Sequence, residues 1–242
     1  MLWRCFMNFK NCTVLVLLGL LFAGEDATLN KIITTQSQKY DKIKDMTMVM
    51  VAPEVGEIKI MRKGVKSRTE MEMPIGEGKK IPSIIVFDSL EYWMISPLIG
   101  KRKISSSEAN TYEEERWWEK VKEPKILGSE NLNGRDCFIV EYKNDSGKET
   151  TKLWVDKKEY LLVKSETTQK KNKITNIYSD FREVYDDLKM PFKIEIYENG
   201  KLVNTINFKE IKVNQKLSDD LFNIDKIEVR HLTPQELMEL MK

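Results

Sequence analysis

The chain has 242 residues, 41% of them hydrophobic and 32% charged, with 40 Lys and Arg against 38 Asp and Glu for a net charge of +2. That composition describes a globular chain long enough to bury its own core, and it excludes both a disordered polymer and a polytopic membrane protein. Charges this nearly balanced create no long-range field to hold a phosphate backbone, which disfavours sequence-independent nucleic-acid binding.

Residues 1–27 read as an export signal. Arg4 and Lys10 give a positive start, Val14 to Phe22 an apolar run, and Ala23 and Gly24 small residues for cleavage. The run is shorter than the roughly 20 residues a bilayer-spanning helix needs. Glu25 follows Gly24, so no lipobox cysteine stands there to carry a lipid. The expected mature protein is residues 28–242, a single domain outside the cytoplasm.

Leu29, Ile32, Ile33 and Tyr40 recur at helical spacing and predict a helix over residues 28–44. A second helix is expected over 107–122, with Ser107 as its N-cap and Pro124 ending it. Nearly everything else alternates with period two. Met46, Met48 and Met50 alternate with Thr47 and Val49; Ile58 and Ile60 with Glu57 and Lys59; Met71 and Met73 with Glu70 and Glu72. Further strands are expected at 83–87, 91–96, 137–142, 150–156, 160–168, 173–184, 192–198 and 201–213. Asn199-Gly200 suits the positive φ of a type I′ hairpin turn, and 144–147 and 169–172 read as longer turns. The expectation is a mainly β fold with some α (α+β): one curved antiparallel sheet of roughly ten or eleven strands, with helices over its concave face.

Catalytic chemistry finds little to work with. One histidine, His231, and three cysteines, of which Cys5 and Cys12 lie in the leader, cannot make a typical Cys/His zinc site. A Ser-His-Asp triad would have to use His231. Gly78-Lys79 is followed by Lys80 rather than Ser or Thr, so no Walker A loop is present. The acidic runs Glu113–Glu115 and Asp186-Asp187 read as solvated faces. Asn144-Asp145-Ser146 matches a glycosylation acceptor. No catalytic residue, cofactor or metal is expected. The unusual feature is methionine on the early strands, which suits either core filling or a surface that adapts to ligands of variable shape.

Four segments carry a family resemblance: Ile85 to Pro97, a strand–turn–strand ending in Ser96-Pro97; Glu130 to Val140, with Gly134-Arg135-Asp136-Cys137-Phe138; Lys152 to Asp156 followed by Tyr160 to Glu166; and Leu217-Ser218-Asp219-Asp220-Leu221-Phe222. In this order the set resembles the outer-membrane lipoprotein-sorting family, the LolA-like periplasmic carriers. The resemblance implies a periplasmic half-barrel around an apolar cavity. It also implies a carrier that takes lipid or lipoprotein acyl chains from an inner-membrane release complex and passes them to an outer-membrane receptor. The sorting carriers proper use an arginine near the start of the sheet to bond a lid helix. Residues 46–51 contain none, and Arg62 is the nearest candidate. With alternation choosing the inward side, the residues expected to line the cavity are Met46, Met48, Met50, Ile58, Ile60, Met71, Met73, Trp93, Phe138, Val140, Trp154 and Ile196. The other reading of the same scaffold is an envelope-stress sensor or protein-interaction module.

Overall fold

The computed structural model describes residues 27–52, 55–76, 78–109, 118, 122–143 and 149–240. The expected export signal up to residue 26, most of the expected helix 107–122, and Asn144-Asp145-Ser146 lie outside the described residues.

Helix α1 covers residues 27–41. It is followed by β1 (Asp45–Ala52), β2 (Gly56–Lys63), β3 (Lys66–Gly76), β4 (Lys79–Phe87), β5 (Tyr92–Ser96), β6 (Gly100–Ile104) and the single helical turn α2 (Ser106–Ala109). Then come β7 (Lys122–Leu132), β8 (Arg135–Lys143), β9 (Glu149–Asp156), β10 (Leu162–Gln169), β11 (Asn172–Tyr185), β12 (Leu188–Glu198) and β13 (Lys201–Val213). Two 3₁₀ turns, Asp219–Phe222 and Ile224–Lys226, precede α3 (Pro234–Leu240).

Thirteen strands among the described residues replace the ten or eleven expected. The two that alternation missed are β6 and β7, and the reason is physical. Gly100-Lys101-Arg102-Lys103-Ile104 has no buried residue, and β7 carries Pro124, Gly128 and shifts in its ladder with β8. Each ends a row of strands. Edge strands bury little and tolerate proline and charge, so they lack the hydrophobic beat of interior strands. The cap of α2 also comes two residues earlier than expected. Ser105, rather than Ser107, receives the Glu108 N–H, and Ser105 N–H donates to Glu108 Oε2 at 2.8 Å, a reciprocal capping box.

The chain forms two compact units. The smaller comprises Met1–Gln38 and Trp117–Lys173, with strand order β10-β9-β8-β7. Its register places Phe138, Val140 and Tyr142 opposite Val155, Leu153 and Thr151, so these share one face. Leu29 and Ile32 from α1 pack there with Val140, Tyr142, Leu153 and Val155, joined by Ile33, Trp118 and Phe138. The helix thus covers one face of the small sheet. Gln36 Nε2 donates to the Tyr160 carbonyl and fixes it there.

The larger unit comprises Lys39–Arg116 and Ile174–Lys242, with strand order β6-β5-β4-β3-β2-β1-β13-β12-β11, antiparallel throughout. Asn199 (φ 51°) and Gly200 (φ 84°) turn the β12–β13 hairpin in the left-handed region, as a type I′ turn requires. After β13 the chain is turned back by buried Asp45, whose carboxylate accepts the N–H of Gln215 at 2.7 Å and of Leu217 at 3.2 Å. The 217–229 segment then lies on one side of β2 to β6. Ser218 caps the first 3₁₀ turn, Arg68 Nη1 donates to Leu221 O, and Lys101 Nζ donates to Ile224 O. Ile227 completes a cluster with Val86 and Ile95, and Phe222 is 2% exposed.

Phe222 is therefore the apolar anchor of this segment. Phe222→Ala is predicted to lower unfolding stability by about 3–5 kcal/mol, read from the denaturant midpoint at unchanged slope. A loss under about 1 kcal/mol would mean that the segment is not held by burial.

Candidate functional site

The larger unit has two chemically different faces, and the ladder registers assign each residue to one of them. Met46, Met48 and Met50 on β1 stand opposite Arg62, Ile60 and Ile58 on β2. Ile58 and Ile60 stand opposite Met71 and Thr69 on β3, and Met71, Met73 and Thr69 opposite Ser83, Ile81 and Ile85 on β4. Directly opposed residues point the same way. The face continues through Met94, opposite Ile85, and on the other side through Val213, Ile211 and Phe208, opposite Met46, Met48 and Met50. Two positions beyond Phe208, Ile206 faces Ile194, and Asn204 faces Ile196. Met46, Met48, Ile58 and Ile60 are buried, while Met50, Met71, Met73 and Ile196 are half-buried. Eight of the twelve residues named from the sequence therefore share this one methionine-rich face. Arg62, opposite Met46, is on it too.

The opposite face is largely ionic, although Thr47 and Met61 on it are buried. It carries Glu57, Lys59, Arg68, Glu70, Glu72, Lys193, Glu195, Glu210 and Lys212, with pairs such as Arg68–Glu70 at 2.7 Å and Lys193–Glu195 at 3.0 Å. A groove of about 420 Å³ on this side is lined by Lys66, Asp88, Trp93, Asp219, Phe222 and Asp225 among others. Lys63 and Lys66 bracket Asp219 at 2.9 and 3.2 Å and hold its carboxyl below the ordinary value. For Asp88, burial pushes the carboxyl up, but the N–H groups of Glu91 and Leu90 outweigh it and leave it lowered.

Two predicted residues are corrected by the register. Trp93 stands opposite Val86 and beside the 217–229 segment, on the ionic side; Met94 takes its place on the methionine face. In the smaller unit Phe138 and Val140 share the face that α1 covers, but Trp154 stands opposite Ile139 on the other. Its Nε1 donates to Glu130 at 2.6 Å, and Lys164 lies 3.9 Å from its ring centre. Both tryptophans sit in strands that are apolar on both sides, Trp93-Met94-Ile95 and Leu153-Trp154-Val155. A period-two reading has no polar residue there to mark the wet side. The same ambiguity hid Ile85, in the apolar run Ile84-Ile85-Val86, which is 4% exposed.

Cys137 is buried at 0% exposure, and burial first, then Asp156, raises its thiol above the ordinary value. Such a thiol is protonated and inert at neutral pH. Among the described residues no group of His, Cys, Asp or Glu is arranged to hold a metal, and no helix is long and apolar enough to cross a membrane.

A family model described as "-like: Uncharacterized protein" matches residues 100–229, more than half of the chain. The chain belongs to that family. No curated protein matches its sequence. Among solved structures it is similar to a DUF1329 family protein from Desulfovibrio piger, with TM-score 0.59 and 16% identity over 84% of this chain and 98% of that one. It is also similar to a protein from Vibrio parahaemolyticus described as an outer membrane lipoprotein-sorting protein domain, with TM-score 0.55 and 17% identity over 80% and 95%. At these identities the likeness is one of fold, and it agrees with the family resemblance that the four sequence motifs carry.

The paired carboxyl of Asp219 gives a pH prediction. A carboxyl lowered by folding contributes stability that is complete above its ordinary value of 3.8 and is lost as pH falls through the lowered one. The melting temperature of the wild type should therefore drop more steeply below about pH 4 than that of Asp219→Asn. Parallel curves for the two proteins would show that the lysine pair contributes nothing.

Proposed function

We propose that this protein is a non-enzymatic carrier that holds lipid or lipoprotein acyl chains against the methionine-rich face of its larger unit. The observation that carries the reading is the eight-residue set, from Met46 to Ile196, gathered on one face, with Arg62 and Arg182 among the few charges there, while Glu57, Lys59, Glu70, Glu72 and Glu195 stand on the other. The likeness in fold to a lipoprotein-sorting domain supports it. An export signal over residues 1–27 and a periplasmic place of work complete the reading, with an inner-membrane release complex and an outer-membrane receptor as the partners it requires.

The physical demand is plain. An acyl chain of about fifteen methylenes costs on the order of 12 kcal/mol to expose to water, at ~0.8 kcal/mol each. A carrier must offer comparable apolar surface and still let go. Thioether side chains, unbranched and polarisable, fit themselves to a chain of variable shape without the fixed complementarity of branched aliphatics.

Native mass spectrometry of the mature protein, purified from the envelope without detergent, should show a co-purifying lipid. Met71→Asp and Met73→Asp, at half-buried positions on the face, should weaken displacement of a bound hydrophobic dye by fatty acid about tenfold or more. Glu72→Ala, between them but on the ionic side, should leave it unchanged. Absence of both lipid and dye binding in the wild type would overturn the carrier reading.

A further inference from the structure

Among the apolar side chains of the methionine face is a short track of hydroxyls. Thr69 on β3 is 3% exposed and Ser83 on β4 is 1% exposed. Neither Thr69 Oγ1 nor Ser83 Oγ has a hydrogen-bond partner among the described residues. Thr69 stands opposite Ile60 and Ile85, and Ser83 opposite Met71, so the two are diagonal neighbours on one face, about 7–8 Å apart at the backbone. Ser96, two positions after Met94 and 5% exposed, extends the line onto β5.

A buried hydroxyl without a partner is costly, and two side by side in an apolar surface are unusual in a settled core. They are neutral, and their O–H bonds rotate to meet an acceptor. A hydrocarbon tail offers no acceptor. The carbonyl that joins the tail to its headgroup does: an ester in a glycerolipid, an amide in an N-acylated protein. Both are neutral and acceptor-only at oxygen, which matches hydroxyl donors better than it matches an ion-pairing site.

We propose that Thr69 and Ser83, with Ser96 next in line, form the subsite that binds the acyl carbonyl of the cargo and so sets how deeply its tail is seated. This deepens the carrier reading and rests on it. The hydroxyls distinguish an acyl lipid from bare hydrocarbon, and the methionines hold the tail.

The test measures displacement of a bound hydrophobic dye from the mature protein by three probes of matched size: methyl decanoate, N-methyldecanamide and tridecane. In the wild type at least one carbonyl probe should bind about tenfold more tightly than tridecane, and the better of the two identifies the linkage. In Thr69→Val/Ser83→Ala the preference should shrink to within about twofold, with tridecane unchanged or tighter. The unliganded double variant should melt at the same temperature or higher, because it loses two unpaired buried hydroxyls. Equal affinity for all three probes in the wild type, an intact preference in the double variant, or a lower melting temperature for it would overturn the subsite and leave the carrier reading standing. Failure of every probe to displace the dye would overturn the carrier reading and the subsite together.

Discussion

The larger unit depends on register. The short connections between β1 and β2, β2 and β3, and β3 and β4 fix which residues of these strands stand opposite one another. Opposition decides the face. Shifting β3 by a single residue would send Met71 and Met73 to the ionic side and Glu70 and Glu72 inward. Met48 illustrates how tightly this is specified. It is 1% exposed, stands between Ile60 and Ile211, and its chain neighbours Thr47 and Val49 pair instead with Lys212 and Glu210.

The second constraint comes from the far end of the chain. Residues 217–229 close over part of the ionic side of the same sheet and convert it locally into an apolar layer with Val86, Ile95, Phe222 and Ile227. The sheet therefore carries buried residues on both sides at β4 and β5, as it does at β1 and β2, where Thr47 and Met61 are buried on the ionic side. Asp45 links the two ends of this arrangement, since it begins β1 and its carboxylate receives the backbone as it leaves β13. That closure explains the composition of the motif Leu217-Ser218-Asp219-Asp220-Leu221-Phe222, which supplies a cap, a carboxylate for Lys63 and Lys66, and a buried ring.

The smaller unit shows the same physics with a different outcome. There the face carrying Phe138 and Val140 is filled by Leu29 and Ile32 of α1, so it reads as ordinary packed core. The methionine face of the larger unit differs in composition. It keeps half-buried thioethers at Met50, Met71 and Met73, and hydroxyls at Thr69 and Ser83 that have no partner among the described residues. That lining sets the methionine face apart from the packed core of the smaller unit and is the feature the proposed carrier role rests on.

By itself the sequence determined the strands other than β6 and β7, the Asn199-Gly200 turn, the first helix and the methionine face, because each of these is a local pattern: period two, a positive-φ pair, or helical spacing against polar neighbours. That alternation is why eight of the twelve residues named for the cavity share one face. Only the tertiary structure decided the rest. It recruited β6 and β7 through ladder hydrogen bonds that charged, proline-bearing edge strands do not advertise. It set Trp93 and Trp154 on the faces away from their predicted companions, where neighbours on both sides are apolar and alternation carries no sign. It also brought Thr69 and Ser83 together, because a diagonal across two strands exists only once the register between them has been chosen.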